Sequence, residues 1–212
     1  MKDCRNLGGE KMCVKGSGAI AVFDFDGTLV SCDSFTRFAR FAVGPRRFYS
    51  ALLGCAVSIL RWKAGLIEGG VAKERVFGHL YAGMSYEDFA SKGMEFSRKL
   101  KGLERREIVE LMLRHKAAGN EVYIVSASMA EWIVGWAEAH GIEQSHVLGT
   151  VPEVEGHGIL TGRFGSLNCR GAEKVRRLES CIGRREDVTV YAYGDSDGDT
   201  ELLAFADVSR RV

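Results

Sequence analysis

The chain has 212 residues, 46% of them hydrophobic, and a formal net charge of +1. That apolar share supports one packed core and excludes wholesale disorder. The near-neutral balance excludes a global field directing the chain to nucleic acid or to anionic membranes. Six cysteines, at positions 4, 13, 32, 55, 169 and 181, show no C-x-x-C pair and no clustering with histidine, which fits a reduced, cytoplasmic setting.

Residues 1–18 are polar and contain glycine without a signal-like apolar stretch, so they read as a flexible leader. The segment "AIAVFDF" (19–25) reads as a fully buried strand. From Ser34 to about Leu100 the periodicity is helical, with a cap at Ser34 and an interruption at Pro45. An uncharged run, "FYSALLGCAVSIL" (48–60), is broken by Gly65 and Gly69-Gly70, and amphipathic segments follow at 71–80 and 85–99. The run is shorter than the roughly 20 residues of a membrane-spanning helix. It reads as the core of a helical insert, with an interfacial helix flanked by Arg46, Arg47, Arg61 and Lys63 as the alternative.

Strands and helices then alternate. A helix over 103–118 stops at Gly119-Asn120, a strand follows at 121–128, and a helix over 129–140 opens with capping-box spacing from Ser128 to Glu131. A hairpin is expected within 146–165, a helix at 172–182, a buried strand at 188–195 and a last helix at about 199–206. Because the sequence stops soon after this helix, a final strand or helix is expected to be absent or abbreviated. The expected fold is α/β, a three-layer Rossmann-like parallel sheet built from 19–33 and 101–212, with a helical subdomain inserted at 34–100.

In such sheets, ligands bind beyond the carboxyl ends of the strands. Asp24, Asp26, Ser126 and Asp195 all fall where an apolar strand gives way to polar residues. Asp24 and Asp26, two apart, point the same way, and their repulsion favours a cation or a shared proton. Asp26-Gly27 could equally mark a hairpin turn when taken alone. "GDSDGD" (194–199) supplies three more carboxylates. It fails as an EF-hand, because Thr200 and Ala206 stand where Gly and Glu are required. Ser126 is placed to donate to a phosphate oxygen, Ser128 reads as a helix cap, and Lys174 offers a cation near a helix start.

Taken in order, "DFDGT" (24–28), "VSAS" with Ser126, "GAEK" with Lys174 and "GDSDGD" with Asp195 and Asp199 resemble the four motifs of the haloacid dehalogenase superfamily of phosphohydrolases. The helical stretch after the first motif resembles the cap of its phosphoserine phosphatase-like subfamily (IB). The resemblance implies a phosphatase with Asp24 as nucleophile, forming an aspartyl-phosphate, and Asp26 as acid and then base. It implies Thr28, Ser126 and Lys174 around the phosphate. Mg²⁺ would be held by Asp24, the Asp26 carbonyl and Asp195, with Asp199 supporting the metal shell or Lys174. Two departures stand out. Asp33 occupies a position where phosphoserine phosphatases carry Glu facing the substrate amine, and Gly198 stands where Asn is common. The expected substrate is therefore a small phosphorylated metabolite, phosphoserine-like but not assigned as phosphoserine itself. A lipid phosphate with a phosphatidylglycerophosphate-like headgroup is the alternative, and a non-catalytic phospho-ligand-binding protein the lesser one.

Overall fold

The computed structural model describes residues 18–182 and 188–212, so nearly all of the expected leader lies outside the described residues. A five-stranded, wholly parallel sheet runs in the order β3-β2-β1-β6-β7. Its central strand is β1 (Ala19–Phe23), every residue of which is buried. On one side lie β2 (Glu121–Met129) and β3 (Val147–Thr150); on the other lie β6 (Thr189–Gly194) and β7 (Val208–Arg211). β1 and β6 are near-continuous apolar runs because helices cover both sheet faces. The terminal strand β7 is present, and its Val-Ser-Arg-Arg sequence is polar because it forms the sheet's edge. The expected hairpin is β4 (Pro152–Val154) with β5 (Leu160–Phe164), antiparallel and separate from the main sheet.

Four helices separate β1 from the next core helix. These are α1 (Ser34–Gly54), α2 (Ala56–Lys63), α3 (Gly69–Tyr81) and α4 (Tyr86–Leu100). The break in α1 falls at Gly44, whose φ of 78° only glycine adopts easily, and Pro45 restarts the helix from its first turn. The cap of α1 is Asp33, one residue before the expected Ser34; its Oδ1 accepts the Thr36 amide at 2.9 Å. Gly69 and Gly70 begin α3 where a break was expected. A Cβ on Gly69 would stand 2.9 Å from the Trp62 indole nitrogen, and one on Gly70 would stand 3.2 Å from Asn168 Cβ. Close packing outweighs the poor helix propensity of glycine there.

The inserted helices share a core with the sheet. Phe38 of α1 stacks on Trp132 at 4.3 Å between ring centroids and meets Phe89 and Phe96 of α4 edge-on. One apolar cluster runs from these rings to Phe23, Phe25 and Ile124 of the sheet layer. The run at 48–60 is divided between two environments. Phe48, Ala51 and Cys55 are buried, whereas Leu53, Val57 and Leu60 are 65–79% exposed.

The remaining helices cover the sheet: α5 (Arg106–Ala117), α6 (Ala130–Ala139), α7 (Ala172–Cys181) and the short α8 (Thr200–Phe205). His115 of α5 is fully buried, its Nδ1 3.0 Å from Asn120 Nδ2 and its Nε2 2.8 Å from the Tyr193 hydroxyl. Asn120 donates to Nδ1, so the ring is neutral and donates from Nε2. Burial pulls its pKa down from 6.5 to about 4. The unfolded chain therefore binds a proton here that the folded chain refuses. The associated stability is present above pH 6.5 and is lost as pH falls toward 4, by about 3 kcal/mol in all. Urea unfolding of the wild type and His115→Gln across that window is expected to show the wild type losing more stability; parallel profiles would contradict the neutral buried ring.

Candidate active site

The central strand aims the first motif at the switch in strand order. Asp24 follows β1, with its amide donating to the Tyr193 carbonyl of the neighbouring strand at 2.9 Å. The chain then turns through Gly27, whose φ is 79°. A Cβ there would stand 2.1 Å from Asp195 Oδ2, so only glycine lets this loop lie against the end of β6. Arg105 fastens the loop, donating to the Gly27 carbonyl at 2.5 Å.

Lys174, in the first turn of α7, is 2% exposed, and its Nζ donates to Asp24 Oδ1 and Asp199 Oδ1 at 2.5 Å each. Burial alone would lower its pKa, but the two carboxylates outweigh burial and hold it above the ordinary value. Burial pushes Asp24 up to about 7 against the pull of Lys174. Asp199 goes the other way. Burial raises it, but Lys174 and the Ser196 amide and hydroxyl together hold it below the usual carboxylate range. Both Asp199 oxygens are thus engaged, one by Lys174 and the other by Ser196.

Asp26 is held by a different set of groups. Its Oδ1 accepts the Ser34 amide at 3.0 Å and its Oδ2 accepts the Ser128 hydroxyl. Behind these, the Ser34 hydroxyl contacts Ser128 Oγ at 3.1 Å and accepts the Trp132 indole N–H at 2.8 Å. Burial raises the Asp26 pKa, with the Ser128 and Ser34 bonds opposing it. Ser128 was expected to cap α6; instead Met129 occupies the cap position without a side-chain bond, and the Ser128 hydroxyl turns to Asp26.

Ser126 lies within β2, 1% exposed, its Oγ accepting the Ser128 amide at 3.1 Å, which leaves its hydroxyl hydrogen to donate into the pocket. Thr28 is fully buried, and its hydroxyl is directed at Asp195 Oδ1, 3.4 Å away, rather than into the pocket. Asp33 stands at the pocket rim while it caps α1. A pocket of about 360 Å³ brings together Asp24, Asp26, Asp33, Ser126, Lys174 and Asp195. Two cations that the motifs did not single out join them, Lys73 from α3 and Arg170 from the loop before α7. The basic "CRGAEK" run carried a signal for Arg170; Lys73 sits on an amphipathic helix and carried none.

Carboxylate oxygens of Asp24, Asp195 and Asp199 lie within 4.8 Å of one another. Burial raises the pKa of half-buried Asp195, and the neighbouring Asp199 charge raises it further. An all-oxygen donor set with mutual repulsion fits a hard divalent cation. The side chain of Asp26 faces Ser34 and Ser128 instead of this cluster.

The family profile of haloacid dehalogenase-like hydrolases matches residues 21–204. Protein CicA of Caulobacter vibrioides is 30% identical over 195 residues, covering 89% of this chain and 83% of that protein. Among solved structures, a Bordetella pertussis protein of unknown function aligns with a TM-score of 0.74 at 26% identity, over 91% of this chain and 89% of the other. A phosphoserine phosphohydrolase-like protein from Francisella tularensis aligns with a TM-score of 0.62 at 17% identity, over 91% and 95%, a likeness of fold. With four motifs converging on one pocket and a profile match across most of its length, this chain belongs to the haloacid dehalogenase-like hydrolases.

Proposed function

We propose that the chain is a Mg²⁺-dependent phosphomonoester hydrolase that works through a phosphoryl group carried on Asp24. The observation that most supports this is the placement of two adjacent carboxylates in different environments within one pocket. Burial raises both carboxyls, but Asp24 is ion-paired to the buried Lys174 ammonium, whereas Asp26 is hydrogen-bonded only by hydroxyl and amide donors. Carboxylates separated in this way suit two roles, a charged nucleophile and a proton carrier.

In this reading an Asp24 oxygen attacks phosphorus while Asp26 gives its proton to the leaving oxygen. Asp26 then takes a proton from the water that releases phosphate. Lys174 holds Asp24 in place and offsets charge gathering on the phosphoryl oxygens, and Ser126 donates to one of them. Asp199 fixes Lys174, and Thr28 orients Asp195. Asp24 and Asp195 would hold Mg²⁺, which when bound offsets negative charge on the phosphate. The helices α1–α4 serve as a cap closing the pocket through Asp33 and Lys73. The purified chain with Mg²⁺ is expected to release phosphate from a generic aryl phosphate over many turnovers and to stop on chelation. Binding without turnover would favour a phospho-ligand-binding protein instead.

Ser128 acts through Asp26 as a positioning residue. Ser128→Ala is expected to lower kcat roughly 10- to 100-fold, the scale of a misplaced catalytic group. The lost bond favoured the ionised carboxylate, so the limb of the pH–rate profile set by Asp26 should move to higher pH, with Ser128→Thr restoring both. An unmoved limb would leave Ser128 with a packing role only.

A further inference from the structure

A second cavity, of about 590 Å³, adjoins the phosphate pocket beneath α1, α2 and α3. Asp33, Lys73, Ala127 and Arg170 line both, so the two form one continuous space. Its walls are apolar, made by Phe35, Phe48, Leu52, Ile59, Trp62 and Val76. Among the described residues, every charged residue lining it is one of the three shared with the phosphate pocket; beyond them its described polar lining is Thr36 and Asn168. Charge is thus confined to the junction. Lys73 is fixed there by donating to the Ala127 carbonyl at 2.9 Å, with its ammonium 4.7 Å from the Phe35 ring centroid.

We propose that this chamber is a substrate subsite, and that the hydrolysed compound is an amphiphilic phosphomonoester. Its phosphate lies at Asp24 and its uncharged, extended apolar group fills the chamber. The proposal rests on the phosphatase reading above. The volume suits a ligand-sized group, and mostly apolar walls with charge at one end are what such a molecule needs. A short zwitterionic substituent would find partners at the junction and leave the rest of the space unused. Two sources carry this chemistry, a dispersed amphiphile and a lipid in a bilayer. The exposed Leu53, Val57 and Leu60, on the same helices that supply Leu52 and Ile59, together with Arg61 and Lys63, give the second a surface to meet.

The test compares kcat/KM for ethyl, hexyl and decyl phosphate as dispersed monomers and for phosphoserine, with Mg²⁺. Burial of each methylene is worth up to about fourfold, so a rise of at least about tenfold from ethyl to hexyl is expected. Leu52→Asp and Ile59→Asp should each reduce the hexyl-to-ethyl ratio toward one. A misfolded fraction lowers both esters equally and cancels in that ratio. Equal rates for ethyl and hexyl phosphate, a gain that survives both substitutions, or phosphoserine outperforming hexyl phosphate would each overturn the subsite while leaving the phosphatase reading intact. No hydrolysis of any of the four, nor of an aryl phosphate, would overturn the phosphatase reading and the subsite with it. Decyl phosphate turned over as monomers assigns a dispersed amphiphile. Turnover of decyl phosphate only in anionic phospholipid vesicles, with the hexyl gain present, assigns the bilayer; both results uphold the subsite.

Discussion

Lys174→Met is expected to cost the folded chain about 3–5 kcal/mol, the scale of breaking a buried ion pair by removing one partner. Methionine replaces the aliphatic stem, but Asp24 and Asp199 are left facing each other in the interior without their cation. Asp24 is 5% exposed and Asp199 is not exposed at all, so water does little to help. Asp24, already raised by burial, would rise further, and Asp199 would move from below its unfolded-state value to above it. The deficit relative to the wild type should therefore be largest near neutral pH and shrink as pH falls and both carboxylates protonate. Urea unfolding at several pH values measures this directly. A loss below about 1 kcal/mol, typical of exposed pairs, would contradict the buried triad.

Asp24→Asn is expected to lower turnover on the order of 10³-fold or more, the loss seen when a nucleophile is removed. The amide keeps the shape of the carboxylate, but its nitrogen is no acceptor and its oxygen is a poor nucleophile. Asp26→Asn should also be severely impaired, for a different reason. The nucleophile remains, but the proton carrier for both half-reactions is gone. A good leaving group needs no protonation, so an aryl phosphate should rescue the first half-reaction of Asp26→Asn and do nothing for Asp24→Asn. Full hydrolysis by Asp24→Asn would show that the phosphoryl group is taken up elsewhere.

The parts of the site legible in the sequence were those tied to strand ends. An apolar strand followed by Asp-Phe-Asp-Gly-Thr, and another followed by Gly-Asp-Ser-Asp-Gly-Asp, put their carboxylates at the same edge of a parallel sheet whatever surrounds them. The support of Asp26 was not legible. It depends on Ser34 meeting Ser128 and Trp132, which lie 94 and 98 positions further along the chain, and no local spacing rule joins them to Ser34. Ser128 in particular stands where a helix cap would, and local chemistry favours the cap until tertiary structure supplies a charged acceptor. The same competition moved the cap of α1 to Asp33 and made Gly69 a helix start. β7 was hidden because an edge strand needs no apolar pattern. The chamber escaped because its walls come from three helices, each of which alone reads as ordinary core.

The most direct measurement is acid quenching of the reaction during turnover, followed by mass spectrometry of the digested protein. The wild type is expected to carry a transient phosphoryl adduct on the peptide containing Asp24. Asp26→Asn, supplied with an aryl phosphate, should accumulate that adduct, and Asp24→Asn should show none. An adduct on another residue, or steady turnover with no adduct in either the wild type or Asp26→Asn, would contradict the assignment of Asp24 as nucleophile and Asp26 as its proton carrier.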